Sequence, residues 1–168
     1  MRDDVFVHWF EALEKRHLAN LSFSEVRRAV QALSSLYVER RGRLDRSSPL
    51  AGAGKRAAFS LFFGPLHFVL VREIIRALGA RVPENWAILD IGCGTGVAGA
   101  AWALEMDGRP ELIGVDRHPW ALQECKWTYR QLGLSGETKS ADLGRLQIPA
   151  RAAIIIRAAG PGWWRAAA

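Results

Sequence analysis

Apolar residues near the N-terminus recur at three- and four-residue steps, a spacing that predicts two amphipathic helices. The first runs from Asp4 to about Ala19. The second begins at Ser22, which precedes Glu25 by three residues, the spacing of a capping box. The stretch Arg40–Lys55 has no apolar periodicity and contains glycines, serines and a proline. This composition predicts a linker.

After the linker, apolar runs of strand length alternate with helical periodicities. A helix follows Gly64, with Pro65 suited to its first turn and Gly79 as its C-terminal stop. The remaining elements are predicted as strands over 87–91, 111–116, 138–141 and 152–157 and helices over 96–106 and 119–132. This alternation predicts an α/β fold with a parallel sheet and right-handed crossovers.

The net charge of +6 is unevenly distributed along the chain. Between residues 40 and 56 the chain has one acidic residue, Asp45, and six basic residues. This basic cluster consists of Arg40, Arg41, Arg43, Arg46, Lys55 and Arg56. Such a cluster can contact nucleic-acid phosphates. The alternative, a solvated linker, is favoured because no aromatic residue interleaves with the cluster.

Composition also indicates the cellular location in which we expect the chain to work. With 49% hydrophobic residues a packed core is expected. The longest apolar run, Phe59–Val71, is shorter than the ~20 residues of a membrane helix, and the N-terminus shows no apolar signal segment. We therefore expect a cytoplasmic protein without a membrane partner. Cys93 and Cys125 suggest neither a disulfide framework nor a metal site.

A glycine pattern, Asp90-x-Gly92-x-Gly94-x-Gly96, lies between a predicted strand and a predicted helix. A dinucleotide loop would have a third glycine at Val97 and would hold a pyrophosphate at the helix N-terminus. An acid at the mouth of the loop would repel that anion. It would suit the ammonium and sulfonium of S-adenosylmethionine (SAM), so the charge argument favours SAM over NAD.

Two further acids follow at equal intervals. Asp116 ends the second strand 26 residues after Asp90, where an acid can accept hydrogen bonds from ribose hydroxyls. Asp142 follows the third strand and could meet the adenine amino group, with Leu143 or Trp120 packing on the ring. The competing interpretation of Asp142 is a loop cap, since Asp favours such positions.

With these motifs, residues 59–157 resemble a class I, Rossmann-like SAM-dependent methyltransferase. The matching motifs are Leu89 to Gly96, then Gly114-Val115-Asp116, then Ala141-Asp142-Leu143. The resemblance implies a partial doubly wound sheet of about four strands in the order 3-2-1-4. We therefore expect two parts, the N-terminal helical pair with its basic linker over 1–58 and a methyltransferase domain over 59–168 that is truncated after the fourth strand. The cofactor residues that the resemblance implies are Asp90, Gly92, Cys93, Gly94, Gly96, Asp116, Arg117, Asp142 and Leu143.

The helix containing His67 and the stretch 115–122 are more narrowly similar to bacterial relatives of the small-ribosomal-subunit-associated methyltransferase-like family. That similarity implies rRNA or the ribosome as partner. The family fold has seven strands, whereas the tail after Arg157 uses only Arg, Ala, Gly, Pro and Trp, so we expect a truncated or frameshifted product. The fourth strand would then be an open edge, which predicts self-association.

No residue stands out as a general base, so the catalytic residues and the acceptor atom are unknown at this level. Three functions stay open. The chain is a SAM-dependent methyltransferase, a non-catalytic SAM-binding protein associated with RNA or the ribosome, or an NAD-dependent oxidoreductase. Val97 and Asp90 argue against the NAD-dependent oxidoreductase.

Overall fold

A computed structural model describes residues 2–39, 50, 52–141 and 146–156. The N-terminal helices are α1 (Arg2–Leu18) and α2 (Phe23–Glu39). The predicted capping box is confirmed: the Ser22 N–H donates to Glu25 Oε2 at 2.8 Å, and the Glu25 N–H donates to Ser22 Oγ at 3.4 Å. Most of the basic cluster, Asp142, Leu143 and the tail from residue 157 lie outside the described residues.

The third helical run is longer than predicted. It comprises α3 (Ala53–Ala58), a π-helical segment (Phe59–Phe63) and α4 (Gly64–Leu78). The linker prediction was wrong for its last residues, 53–55, which form the first turn of α3. This turn packs on α2, where a Cβ on Gly54 would make an ordinary contact with the Ala29 Cβ at 3.6 Å.

The π-helical segment explains how the run continues through Pro65, which was expected to begin a helix. Proline has no N–H, and in a regular helix its ring meets the carbonyl four residues earlier. The wider turn places the Gly64 N–H on the Phe59 carbonyl, five residues back, and so accommodates the ring. The helical run passes through the boundary predicted at residue 58, and the division into two units stays a prediction.

By length and composition, the run Ala53–Leu78 is the one helix among the described residues that could cross a membrane, a test that core helices of soluble proteins also pass. The expectation that no segment is long enough rested on the shorter run Phe59–Val71 and was wrong about length. One side of α4 packs in the protein core, where Phe68 and Ile75 are buried.

The four predicted strands form one parallel sheet in the predicted order β3-β2-β1-β4. The strands are β1 (Ala87–Ile91), β2 (Leu112–Asp116), β3 (Gly136–Ser140) and β4 (Ala152–Ile156). The crossover helices are α5 (Val97–Glu105) between β1 and β2, and α6 (Pro119–Gln131) between β2 and β3. The fold class is therefore confirmed.

The helices cover one face of the sheet in a fixed order. α6 packs on β2 and β3, α5 on β1 and β2, and α4 along α5. The main core lies between this layer and the sheet and includes Phe68, Ile88, Leu112 and Tyr129. Side chains on the opposite face, such as Leu89 and Val115, form a separate buried cluster. The glycine loop lies at the carboxyl end of β1, between these layers.

Candidate functional site: the glycine loop and the end of β2

Three alternate glycines shape the loop that follows β1. Gly92, Gly94 and Gly96 have φ angles of +71°, +54° and +77°, in the left-handed region that side chains with a Cβ rarely adopt. The N–H groups of Gly92 and Cys93 both donate to the Val115 carbonyl, at 2.8 and 3.0 Å. The loop is therefore anchored on β2, the strand that ends in Asp116.

Gly96 has a second reason to be glycine. A Cβ at this position would lie 2.6 Å from Cys125 Sγ and 2.8 Å from Tyr129 Cε1. Both of these residues belong to α6, so Gly96 brings the start of α5 against α6. Its requirement for glycine follows from packing, and a direct contact with a cofactor stays a prediction.

Asp90 lies behind the loop and not at its mouth. The residue is fully buried, and its Oδ2 accepts a hydrogen bond from the Gly99 N–H at 2.9 Å. Gly99 is in the first turn of α5, where backbone N–H groups have no helical partner. The carboxylate occupies a donor that a bound pyrophosphate would use and offsets the positive end of the helix. A dinucleotide is thus still disfavoured, because Asp90 occupies a helix N–H and not because it lies at the mouth of the loop.

Asp116 joins the end of β2 to the loop. Its Oδ2 accepts from the Gly94 N–H at 3.0 Å, and its Oδ1 accepts from the His118 N–H at 2.8 Å. Asp116 is half-buried, and the adjacent Arg117 is exposed. A carboxylate oxygen can accept more than one hydrogen bond, so this carboxylate is fixed in place and can still receive ligand hydroxyls. That pair of acceptor oxygens fits the ribose hydroxyls of a nucleoside cofactor.

The Cys93 side chain points into the core. Cys93 and Cys125 are both buried free thiols. A Cβ on Gly114 of β2 would lie 3.2 Å from Cys93 Sγ and 2.8 Å from Cys125 Sγ, so both sulfurs crowd this glycine. The hydrogen bond with Cys125 and burial raise the pKa of Cys93 well above its ordinary value. Cys93 therefore stays a neutral thiol that fills space.

A buried ionic contact, which sequence reasoning missed, fastens α1 to α6. Glu124 accepts from Arg16 Nη2 at 2.6 Å and lies 3.1 Å from His17 Nε2. Burial acts to raise the pKa of Glu124, but the hydrogen bonds from His17 and Arg16 outweigh it and lower that pKa. The signal was present in the sequence, because Glu124 shares a helical face with the buried Ala121 and Thr128.

Trp120, in the first turn of α6, links the loop region to the N-terminal segment. Its ring lies 6.3 Å from His118 and 6.5 Å from His17, each in an edge-on arrangement. The Arg56 guanidinium lies 5.5 Å from the centroid of the Trp120 ring, within the range of a cation–π contact. The last residue of the basic cluster is thus held beside the end of β2.

The part of the chain that forms the sheet is similar to a known protein family. Residues 88–164 match the family model of a methyltransferase domain. The matched stretch is just under half of the chain and runs from the second residue of β1 past the end of β4. Together with the sheet order, the match supports a methyltransferase domain of the class I type, and that family implies SAM as cofactor. No curated protein and no solved structure matches the chain significantly.

The sequence-predicted cofactor residues are brought together in part. The loop 92–96 meets Asp116 through the Gly94 N–H, with Arg117 next to Asp116 on the surface, whereas Asp90 bonds to the Gly99 N–H behind the loop. Asp142 and Leu143 lie outside the described residues. Contact of any of them with a cofactor stays a prediction.

Proposed function

We propose that this protein binds SAM at the glycine loop and transfers its methyl group to an RNA acceptor, with ribosomal RNA as the leading candidate. The observation that carries the proposal is the Asp116 carboxylate, held by the Gly94 N–H at 3.0 Å at the tip of a β2 that is paired with β1. It presents fixed acceptors for vicinal hydroxyls beside a loop whose glycines let a ligand approach the backbone closely.

Bound SAM supplies a sulfonium methyl group that a nucleophile can displace directly. In this proposal Gly92 and Gly94 receive the methionine end along the backbone, and Asp116 accepts hydrogen bonds from the ribose. Asp142 and Leu143 stay the predicted adenine contacts. Alignment of acceptor and methyl group is the main task that this chemistry leaves to the protein. A general base is needed only for an acceptor that must lose a proton.

An NAD-dependent oxidoreductase fits these residues less well. Position 97 is a buried valine where the dinucleotide pattern has its third glycine. The Gly99 N–H at the start of α5 already donates to the Asp90 carboxylate. A pyrophosphate placed there would meet a buried negative charge and would lose that donor.

Charge supports a nucleic-acid acceptor. The chain carries a net charge of +6, and its basic cluster ends at Arg56, which rests on Trp120 beside the cofactor loop. Phosphates bound by the cluster would bring a nucleotide towards the end of β2. The same cluster supports the second candidate, a protein that binds RNA and SAM without transferring the methyl group. We expect either protein to work in the cytoplasm, where its free thiols stay reduced.

Transfer of radiolabelled methyl groups from SAM to total ribosomal RNA tests the proposal and separates the two candidates. We expect incorporation that falls with rising salt, because phosphate contacts release counterions. Asp116→Asn should abolish incorporation, whereas Glu84→Gln, which removes one negative charge from an exposed turn, should not. Salt-sensitive RNA binding without incorporation would favour the non-catalytic candidate. Incorporation into protein alone would reject the RNA acceptor.

A further inference from the structure

The outward side of α4 carries a row of large apolar side chains, next to the charged Arg72, Glu73 and Arg76. Inward, α4 packs Gly64, Phe68 and Ile75 into the core. Outward, five large apolar side chains repeat every four residues from the π-helical segment to the end of α4, each between 45% and 74% exposed: Phe62, Leu66, Leu70, Ile74 and Leu78. We call this row the α4 ridge. A large exposed apolar patch on a folded protein usually marks an interaction surface.

The open edge of the sheet lies on the same side of the molecule as the α4 ridge. Within the described residues β4 pairs with β1 alone. The helix order α6, α5, α4 follows the strand order β3, β2, β1, β4, which places α4 over the β4 side of the sheet. Ile155 of β4 packs into the same core cluster as Phe68 of α4, so both lie on the helical face. Among the residues that the structure describes, the ridge and the strand edge therefore lie on one side of the molecule, which we call the flank.

The backbone groups along that edge can be assigned. The Ala87 N–H donates to the Arg151 carbonyl at 3.0 Å, so Arg151 and every second residue after it direct their backbone groups to β1. The N–H and C=O groups of Ala152 and Ile154 consequently point to the open edge. The strand has no charge, proline or bulge to discourage pairing, the devices by which natural edges are usually protected.

We propose that this flank is the interface of a closed homodimer. A two-fold axis perpendicular to the sheet would pair β4 with its copy in antiparallel fashion and join the two four-stranded sheets into one. The same axis keeps both α4 helices on one face and brings the two ridges together. Residues at four-residue spacing form the ridges that interdigitate in the commonest class of helix packing. A second copy therefore matches both open features at once.

Charge predicts how the dimer responds to salt. Each copy has a net charge of +6, so two copies repel one another, and the contact surface is apolar. Added salt screens the repulsion and leaves the apolar contact in place. Dimerisation should therefore strengthen with salt, opposite to the behaviour of RNA binding.

Sedimentation equilibrium of the full chain tests the proposal independently of any cofactor. We expect a monomer–dimer equilibrium. Changing Leu66 and Leu70 together to Gln should weaken it at least about tenfold. Ile154→Pro should weaken it too, since that residue gives no hydrogen bond to β1 and proline is tolerated at such positions. Phe23→Gln, a neutral change of an exposed apolar residue on α2, is the matched control and should leave dimerisation unchanged.

Thermal unfolding of each variant establishes that it is folded. The two leucines are half-exposed, so their replacement leaves the core intact even where the proline variant does not fold. A monomer at all concentrations, oligomers that grow beyond two copies, or ridge variants that dimerise like the unchanged chain would each overturn the proposal. A monomer that binds neutral lipid vesicles through the ridge would overturn it as well and would assign the flank to a membrane surface.

Discussion

Replacing Gly96 with alanine should be the most damaging single-methyl change in the loop. At φ +77° a Cβ strains the backbone, which costs about 1–2 kcal/mol. The added carbon would also lie 2.6 Å from Cys125 Sγ and 3.2 Å from the Cys125 Cα, and such overpacking costs about 1–3 kcal/mol. The two effects together predict a loss of roughly 2–5 kcal/mol in the free energy of unfolding.

Three other glycines separate the two contributions. Gly79 has φ +58° and open space around its Cβ position, so Gly79→Ala should cost only the strain, about 1 kcal/mol. Gly114 is crowded by Cys125 Sγ at 2.8 Å without a positive φ, so Gly114→Ala should cost only the overpacking. Gly108→Ala has neither and should stay within about 0.5 kcal/mol of the unchanged chain.

Urea unfolding followed by tryptophan fluorescence measures the series. A loss of 3 kcal/mol lowers the midpoint by roughly 1–3 M urea at a typical slope. Adding Cys125→Ala to Gly114→Ala should recover part of the loss, because it removes the sulfur that the new methyl meets. A Gly96→Ala chain no less stable than Gly79→Ala would refute the packing of the loop on α6. If Cys125→Ala recovered none of the stability lost in Gly114→Ala, the contact of Gly114 in β2 with Cys125 in α6 would be refuted.

Two further changes test the N-terminal helices. Ser22→Ala removes the cap hydroxyl, which donates to Glu25 Oε2 at 2.7 Å and accepts from the Glu25 N–H at 3.4 Å, and should cost about 1 kcal/mol in urea unfolding. Ser35→Ala, at an exposed position within α2, is the control. Glu124→Gln should cost roughly 1–3 kcal/mol at neutral pH, because it weakens the contact with Arg16 and His17. The fold lowers the pKa of Glu124 below its ordinary 4.5, so this stabilisation is complete above that pH and is lost as the pH falls through the lowered value. The two chains should therefore converge in stability on acidification, and a constant difference would contradict the assignment.

The sheet could be predicted because its signals are local. The strands β1, β2 and β4 are short apolar runs, α5 follows the glycine loop, and α6 begins at Pro119. The polar strand β3 gave a weaker signal and was predicted two residues late at its start. The strand order was predicted from the resemblance of the loop after β1 to the class I methyltransferase fold, and the structure confirms that order. The capping box at Ser22 was equally readable, since both of its hydrogen bonds join residues three apart.

The parts that were not predicted depend on tertiary packing. Gly54 is typical of a linker in the sequence, but it lies in α3, which packs on α2. Asp90 reads as an acid facing a ligand, whereas in the fold it holds the Gly99 N–H from behind the loop. The outward apolar face of α4 could not be distinguished from a buried one, because periodicity identifies a helix and not the neighbours that cover it.

Calorimetric titration of the chain with SAM tests the central claim most directly. NAD and the Asp116→Ala variant serve as comparisons, and Glu84→Gln as the charge-matched control. We expect SAM binding that is lost in Asp116→Ala and kept in Glu84→Gln, and we expect no binding of NAD. A chain that unfolds cooperatively yet binds NAD, or binds SAM equally well without the Asp116 carboxylate, would contradict the assignment of the glycine loop and the end of β2 as a SAM site.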